Sequence, residues 1–352
     1  MSASAVPRPR LWPGGARGAA SVTFDGGYAS AVDLAVPVLE ALAVPSTWYV
    51  VAGSVGGTLE ERAVAPWSTW SDLVSGGLVE VGSHSLTHPR VRPPLGELGS
   101  LAHEPRTIAR LARDRLDQLV GPPRTVNRWR PPRVVTRDAI AGCEVIEWQL
   151  GRTVESYAYP NGGYRPQISR ALRRLGVVAA RTTSNGTNPP HPHLFDLQSH
   201  VWTTSTDLAT VNRSLGPNDD WVIDVHHLVQ DDGSYQWTTS TGDFKERLGA
   251  LVDSGRWIAT VADVAKWIRS RDALTLKKTF GDDAAPCLAS FDVQGIRTVP
   301  VEVEMAVARD VERVTVTIDR DGKRSRQVAE VVDGTTSWLI HEDAHRMEVR
   351  TC

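Results

Sequence analysis

The sequence lacks the features that mark several large classes of protein. Of its 352 residues only three are cysteines, Cys143, Cys287 and Cys352, too few and too scattered for a disulfide framework or a cysteine metal site. Free thiols are the favoured interpretation, with a single Cys287–Cys352 bridge as the alternative. No apolar run approaches the roughly 18 residues that a membrane-spanning helix needs, so we expect no membrane span.

A dominant charge and a leader segment are also lacking. The formal net charge is −2, so no overall field attracts nucleic acid or an anionic membrane, and we expect neither as a partner. The first 20 residues are interrupted by prolines and glycines and contain no apolar stretch like that of a secretory signal. We therefore expect a cytoplasmic protein, or a secreted one whose native leader is missing from the sequence. The oligomeric state stays open.

The sequence does have a regular alternation of strand-like and helix-like runs from Ser21 to about Ser270. With 41% hydrophobic residues it can bury one large core and a smaller one. The patterns predict strands at 46–51, 154–159, 177–181, 221–225 and 257–260, and helices at 31–42, 67–73, 108–119, 140–150, 168–175, 244–252 and 261–268. Alternation on this scale predicts an α/β barrel or parallel sheet.

The pattern changes after Arg271. Short runs at 299–307, 311–318, 328–332 and 335–340, several alternating with period two and separated by turn signals, predict a small all-β module. We divide the chain into an N-terminal extension (1–20), a barrel (21–272) and a β-rich accessory domain (280–352).

Two short segments carry candidate chemistry at the ends of predicted strands. Asp25 lies in Thr23-Phe24-Asp25-Gly26-Gly27 after one apolar run, and His84 and His88 lie in His84-Ser85-Leu86-Thr87-His88 after another. Strand ends in a barrel or parallel sheet meet at one edge. Two histidines four residues apart can place ring nitrogens on one cation. We therefore expect Asp25, His84 and His88 to meet in one cleft.

These segments resemble the NodB-type polysaccharide deacetylases, carbohydrate esterase family four. In that family the first motif reads Thr-Phe-Asp-Asp-Gly and the second His-Ser/Thr-x-x-His. The resemblance extends from Ser21 to about Ser270. It implies a distorted (β/α) barrel of the NodB type, a divalent metal such as Zn²⁺, and a carbohydrate or acylated small-molecule substrate.

The first motif is altered in this chain. The resemblance makes Asp25 the catalytic base and His84 and His88 metal ligands, but Gly26 stands where the family has its metal-binding aspartate. Three alternatives are open. Asp25 binds the metal itself, a water or a distant carboxylate fills the gap, or the site works without metal.

A third segment, Tyr159-Pro160-Asn161-Gly162-Gly163-Tyr164, resembles the family's third motif. By that resemblance the backbone N–H of Asn161 stabilises the oxyanion, and Gly162 allows close approach of the substrate. We expect Tyr159, Pro160, Gly162 and Tyr164 to contact the substrate.

The positive charge that arginine-bearing relatives place in this motif is absent, because the chain has Ala158 there. Arg181, at the end of the next predicted strand, is the candidate to supply it. A rival for the third motif, residues 128–133, is interpreted as a basic surface loop.

A fourth segment, Trp221 to Leu228, ends a predicted strand in two adjacent histidines. By the resemblance, one of them is the general acid that protonates the leaving group. Strand alternation points the two side chains in opposite directions. We favour His226 as the acid and keep His227 as a second candidate near the substrate.

Together these features predict a hydrolase that removes an acetyl or other acyl group from an amino sugar or related carbohydrate by metal-activated water. Two alternatives remain from the sequence. One is a metal-independent hydrolase of C–N bonds, since metal-independent allantoinases resemble this fold. The other is a barrel that binds carbohydrate without catalysis.

Overall fold

The computed structural model describes residues 6–91, 129–282, 285–307, 311–320 and 323–350. The chain forms two compact units, one of residues Ala20–Ala262 and one of residues Met1–Ala19 with Asp263–Cys352. The predicted helix at 108–119 and the Cys287–Cys352 pairing lie outside what the structure describes.

Strands and helices alternate along the first unit, hereafter the barrel unit. After a short β1 (Arg8–Pro9), which belongs to the second unit, the strands are β2 (Ala19–Gly26), β3 (Ser46–Val50), β4 (Thr58–Leu59), β5 (Arg62–Ala63), β6 (Val79–Ser83), β7 (Arg90–Val91), β8 (Trp129–Arg130), β9 (Ser156–Ala158), β10 (Ala179–Arg181), β11 (His200–Val201), β12 (Trp221–His226), β13 (Leu228–Val229), β14 (Thr238–Thr239) and β15 (Trp257–Ile258). The helices are α1 (Ala29–Ala41), α2 (Trp67–Ser75), α3 (Pro132–Leu150), α4 (Pro166–Arg174), α5 (Leu208–Asn212), α6 (Thr241–Asp253) and α7 (Val261–Ala273).

One curled sheet organises this unit. Its strand order is β10-β9-β6-β3-β2-β12-β11, with β15 beside β2. The pairs β2–β3, β3–β6, β6–β9, β9–β10 and β11–β12 are parallel. Parallel neighbours require crossover connections, which the alternating helices supply. The predicted α/β class with a parallel sheet is confirmed.

Strand β2 is packed tightly in the core of the barrel unit. All eight residues of β2 are buried, as expected for a central parallel strand covered on both faces. Phe24 stacks on Trp48 with ring centroids 3.9 Å apart, and Trp70 lies 5.5 Å from Trp48. Side chains at the end of β2 therefore start from a fixed backbone.

The described part of the second unit consists mainly of strands, together with the rest of α7. Its further strands are β16 (Thr275–Asp282), β17 (Ala285–Gln294), β18 (Val301–Ala306), β19 (Arg313–Arg320), β20 (Lys323–Glu330), β21 (Thr335–Ile340) and β22 (Arg346–Arg350). They form sheets ordered β16-β17-β22-β19-β20 and β1-β18-β21. Val314, Val316 and Ile318 are buried at alternate positions of β19, as period-two patterning requires.

The pairing of β1 with β18 groups the N-terminal segment with this β module rather than leaving it a separate extension. Among the described residues, no helix combines the length and the apolar character needed to cross a membrane.

Two local predictions differ from the structure. Residues 129–133, interpreted as part of a basic loop, instead form β8 and the start of α3, where Pro132 takes a first-turn position that suits proline. The run predicted at 328–332 is the end of β20, which begins earlier, at Lys323.

Candidate active site

Strand ends meet at one edge of the sheet, and a cleft opens there. The cleft has a volume of about 540 Å³, and its lining includes Asp25, His84, His88, Asn161 and His227. These residues come from four separate segments of the sequence. Parallel strands bring them together because their carboxyl ends share one edge.

Asp25 is the last residue but one of β2 and is 2% exposed. Arg181, fully buried at the end of β10, forms an ion pair with Asp25 Oδ1. Burial alone would raise the pKa of the Asp25 carboxyl, but the charge of Arg181 and two nearby imidazoles outweigh it and lower this pKa to about 2. Asp25 is therefore a carboxylate at neutral pH.

His84 and His88 place ring nitrogens side by side. His84 Nδ1 donates a hydrogen bond of 2.8 Å to the carbonyl oxygen of Ala158, which leaves His84 Nε2 with a lone pair toward the cleft. His84 Nε2 lies 3.0 Å from His88 Nε2 and 3.7 Å from Asp25 Oδ2. Burial lowers the pKa of His84, so its imidazole is neutral, the form that binds cations.

Helix α3 holds the segment that carries these histidines. The Asp138 carboxylate accepts hydrogen bonds from the backbone N–H groups of Leu86 and Thr87, at 3.1 Å each, and from the Thr87 hydroxyl at 2.6 Å. One turn further along α3, a Cβ on Gly142 would lie 2.4 Å from the Ser85 carbonyl carbon. Asp138 and Gly142 could not be identified from the sequence, because no local pattern links α3 to residues 84–88.

The imidazole pair fits one divalent cation. Ligand atoms that are each 2.0–2.2 Å from one ion can lie up to about 4.4 Å apart, so separations of 3.0 Å and 3.7 Å are compatible with a shared ion. Among the described residues, no group of three or more histidine, cysteine, aspartate or glutamate side chains is arranged to hold a metal ion. His84 and His88 are therefore two candidate ligands, with Asp25 as a neighbouring oxygen donor.

The altered position in the first motif has no room for a side chain. Gly26 has φ +91°, a conformation that favours glycine. A Cβ here would lie 2.6 Å from Cε2 of Tyr28 and 3.1 Å from Cδ2 of Leu59. An aspartate at position 26 would require the Tyr28 ring to move.

Within the third motif, Asn161 reaches the cleft, with a left-handed backbone at φ 53°. A Cβ on Gly162 would collide with the Thr183 hydroxyl and lie 3.0 Å from the Thr183 nitrogen, and Thr183 itself lines the cleft. That Gly162 allows close approach of the substrate stays a prediction.

Contact of Tyr159, Pro160 and Tyr164 with the substrate stays a prediction, and the structure shows what surrounds each of them. Tyr159 is 1% exposed, and its hydroxyl donates to the carbonyl oxygen of Phe195 at 3.1 Å. Pro160 is buried. The Tyr164 ring packs edge-on against that of Tyr159, with centroids 5.6 Å apart. None of the three belongs to the described lining of the cleft; they support the loop that carries Asn161.

His227, and not His226, faces the cleft. His226 is 1% exposed, with Nδ1 2.8 Å from the Thr239 hydroxyl and its ring stacked on Trp202. His227 Nε2 lies 4.0 Å from Asp25 Oδ2. Burial lowers the pKa of His227 to about 4. Alternation along β12 directs the His226 ring into the core, and the geometry therefore favours His227 over His226 as the candidate acid.

Part of the chain matches a known protein family. Residues 14–180 match the family model of the polysaccharide deacetylases. No curated protein matches the chain.

Several solved structures are similar to the chain. IcaB from Ammonifex degensii is 25% identical with a TM-score of 0.34, over 47% of this chain and 59% of that one, so the match spans less than two thirds of its length. The deacetylase domain of BpsB from Bordetella bronchiseptica is 17% identical with a TM-score of 0.36, over 58% and 72% of the two chains. The Xyl-CE4 domain of a multidomain xylanase from the hindgut metagenome of Trinervitermes trinervoides is 15% identical with a TM-score of 0.41, over 70% and 89%.

Proposed function

We propose that the chain hydrolyses an acetyl or other acyl group from a carbohydrate, and the match of residues 14–180 to the polysaccharide deacetylase family model supports the proposal. One observation supports the proposal above the others. Asp25, the His84–His88 pair, Asn161 and His227 line a single cleft. A base, a cation site, a backbone donor and an acid are what hydrolysis of an amide or ester requires.

The chemistry begins with an attacking water next to Asp25. A carboxyl group with a pKa of about 2 accepts a proton poorly at neutral pH. The water must therefore become more acidic before Asp25 can deprotonate it. A divalent cation such as zinc, held by His84 and His88, would supply that acidity when bound.

The remaining steps belong to Asn161 and His227. The tetrahedral oxyanion accepts a hydrogen bond from the backbone N–H of Asn161. His227 is neutral at neutral pH. Asp25, 4.0 Å from His227 Nε2, passes the proton taken from water to that imidazole, and the resulting imidazolium donates it to the departing nitrogen or oxygen. All protons are thereby accounted for.

A second candidate is a hydrolase that works without metal. The observation in its favour is Gly26, because the carboxylate that would complete a three-ligand site is replaced by a glycine whose surroundings exclude a side chain. In that case Asp25 and His227 alone would have to activate the water.

The test is acetate release from 4-nitrophenyl acetate and from the N-acetylglucosamine tetramer, with and without added Zn²⁺. We expect wild-type turnover to depend on Zn²⁺ and to fall at least about a hundredfold in Asp25→Asn and in His227→Gln. Turnover that survives chelation would favour the metal-free candidate. No turnover on either substrate under any condition would contradict the proposed function and favour a barrel that only binds carbohydrate.

A further inference from the structure

A tight hairpin brings a second carboxylate to the cleft. Strands β4 and β5 are joined by only two residues, Glu60 and Glu61, with φ of 50° and 67°. Two-residue hairpin turns of this shape normally use asparagine and glycine. A non-glycine residue in this conformation costs about 1–2 kcal/mol, and such strain is found mostly at functional sites.

The Glu60 carboxylate is held in place by a phenol. Tyr235 donates a hydrogen bond to Glu60 Oε2, and Tyr28 is an electrostatic neighbour of both Tyr235 and Glu60. The Arg62 guanidinium lies 3.9 Å above the centre of the Tyr235 ring. Glu60, Tyr28 and Tyr235 all line the cleft. The side chain of Glu61, the next residue of the turn, is exposed.

Tyr28 connects this arrangement to the altered first motif. Its ring occupies the space that a side chain at Gly26 would need, and it is an electrostatic neighbour of Glu60 and of Tyr235, which donates to Glu60. The same tyrosine that excludes a carboxylate at position 26 therefore neighbours the one at position 60.

An aromatic surface completes the group. Trp237 is half-buried, lines the cleft and lies with its ring centroid 5.5 Å from that of His227. An indole face packs against the C–H face of a sugar ring, while a carboxylate accepts hydrogen bonds from its hydroxyls. Glu60 and Trp237 therefore offer both kinds of contact beside the reacting centre.

We propose that Glu60 and Trp237 form a carbohydrate subsite that binds a neutral, hydroxyl-bearing sugar ring next to the acyl group being removed. Glu60 accepts hydrogen bonds from the hydroxyls, and Trp237 packs against the apolar face of the ring. This inference rests on the proposed function and identifies the residues that select its substrate.

The test compares binding with turnover in matched variants. The dissociation constant of the N-acetylglucosamine tetramer and of acetylated xylotetraose is measured by calorimetry for wild type, Glu60→Gln, Trp237→Ala and Glu61→Gln. Glutamine keeps an acceptor for Tyr235 but removes the charge. We expect wild type to bind at least one of the two oligosaccharides, and Glu60→Gln and Trp237→Ala to weaken that binding by about tenfold or more. Glu61→Gln, at the exposed position of the same turn, should bind as wild type does.

A sugar-free substrate separates the subsite from the catalytic residues. The ratio of kcat/KM on the tetramer to kcat/KM on 4-nitrophenyl acetate should fall in Glu60→Gln, whereas Asp25→Asn should lose turnover of both substrates. Unchanged oligosaccharide binding in Glu60→Gln and Trp237→Ala, or no binding of either oligosaccharide by wild type, would overturn the subsite. Absence of 4-nitrophenyl acetate turnover in wild type would instead count against the proposed function. That substrate has no sugar, so its hydrolysis does not depend on the subsite.

Discussion

At the scale of single residues, Gly26 and Tyr28 should behave as a coupled pair. Gly26→Asp alone should destabilise the fold by about 2 kcal/mol, because the backbone there has φ +91° and the new Cβ would meet the Tyr28 ring at 2.6 Å. Gly26→Asp combined with Tyr28→Ala should recover part of that loss. Urea unfolding of the two single variants and the double variant gives the coupling free energy. Additive single effects would show that Tyr28 does not block position 26.

Arg181 should prove more important for stability than an ordinary arginine. Removing it in Arg181→Met leaves the buried Asp25 carboxylate without its partner, which should cost about 3–5 kcal/mol. The double variant Arg181→Met/Asp25→Asn should be more stable than Arg181→Met alone, since the uncompensated charge is gone. Unfolding midpoints at pH 7 measure both. An Arg181→Met variant as stable as wild type would contradict a buried ion pair at this site.

Local sequence patterns predict much at this scale, but not the direction of every side chain. Asp25, His84 and His88 follow apolar runs directly, so their meeting at one sheet edge could be expected from the motifs. The choice between His226 and His227 could not be predicted, because it depends on contacts of His226 with Thr239 and Trp202 that only the folded structure shows. Glu60 was missed because its turn lacks the usual asparagine and glycine signal.

At the scale of elements, helix α3 should control the geometry of the histidine segment. Gly142→Ala would place a Cβ against the backbone of Ser85, which should cost about 1–3 kcal/mol and displace His84 and His88. Zinc affinity, measured by titration, should fall together with stability. The matched control is Gly249→Ala in α6, where a Cβ would meet no atom within 4 Å. That variant should be as stable as wild type or more so, since alanine favours helix. Equal behaviour of the two variants would argue against a role for α3 in the site.

The elements themselves were predictable where a single periodicity ran through them. Strand β3 and helix α2 begin where the sequence predicts, at Ser46 and Trp67. Strands β16, β17 and β22 were missed, and β20 was begun too late. In β20 the charged residues Lys323, Arg324 and Arg326 hide the alternation, because an edge strand exposes most of its side chains.

At the scale of the whole molecule, acid should destabilise the fold through its buried histidines. Burial lowers the pKa of His226 to about 3 and that of His227 to about 4, both from a usual 6.5. Below pH 6.5 the unfolded chain therefore binds protons that the folded chain does not, and stability falls as pH falls. Each histidine contributes a slope of up to about 1.4 kcal/mol per pH unit in its window.

Unfolding free energies between pH 7 and pH 4 measure that slope. His226→Gln should flatten it, while His191→Gln, at an exposed position, should leave it as in wild type. Below pH 3.8 the Asp25 carboxyl, whose pKa is lowered to about 2, should add a further loss of the same sign. A slope that His226→Gln does not change would contradict a neutral, buried His226.

The sequence predicted the fold class of the whole molecule but not every strand pairing. Alternating strands and helices indicated the curled parallel sheet, and short alternating runs indicated the β module. The pairing of β1 with β18 joins residues almost 300 positions apart, Arg8 with Glu304. Local periodicity cannot predict such a pairing, because the two strands meet only after the rest of the chain has folded.

The central claim is that the cleft is a hydrolytic site built on a two-histidine cation site. The most direct test is the metal content of the purified protein after dialysis against Zn²⁺, compared with a His84→Ala/His88→Ala variant shown by circular dichroism to be folded. We expect close to one zinc ion per chain in wild type and loss of that ion in the double variant. No bound zinc in wild type, or equal zinc in both proteins, would contradict the cation site and leave Asp25 and His227 to act without one.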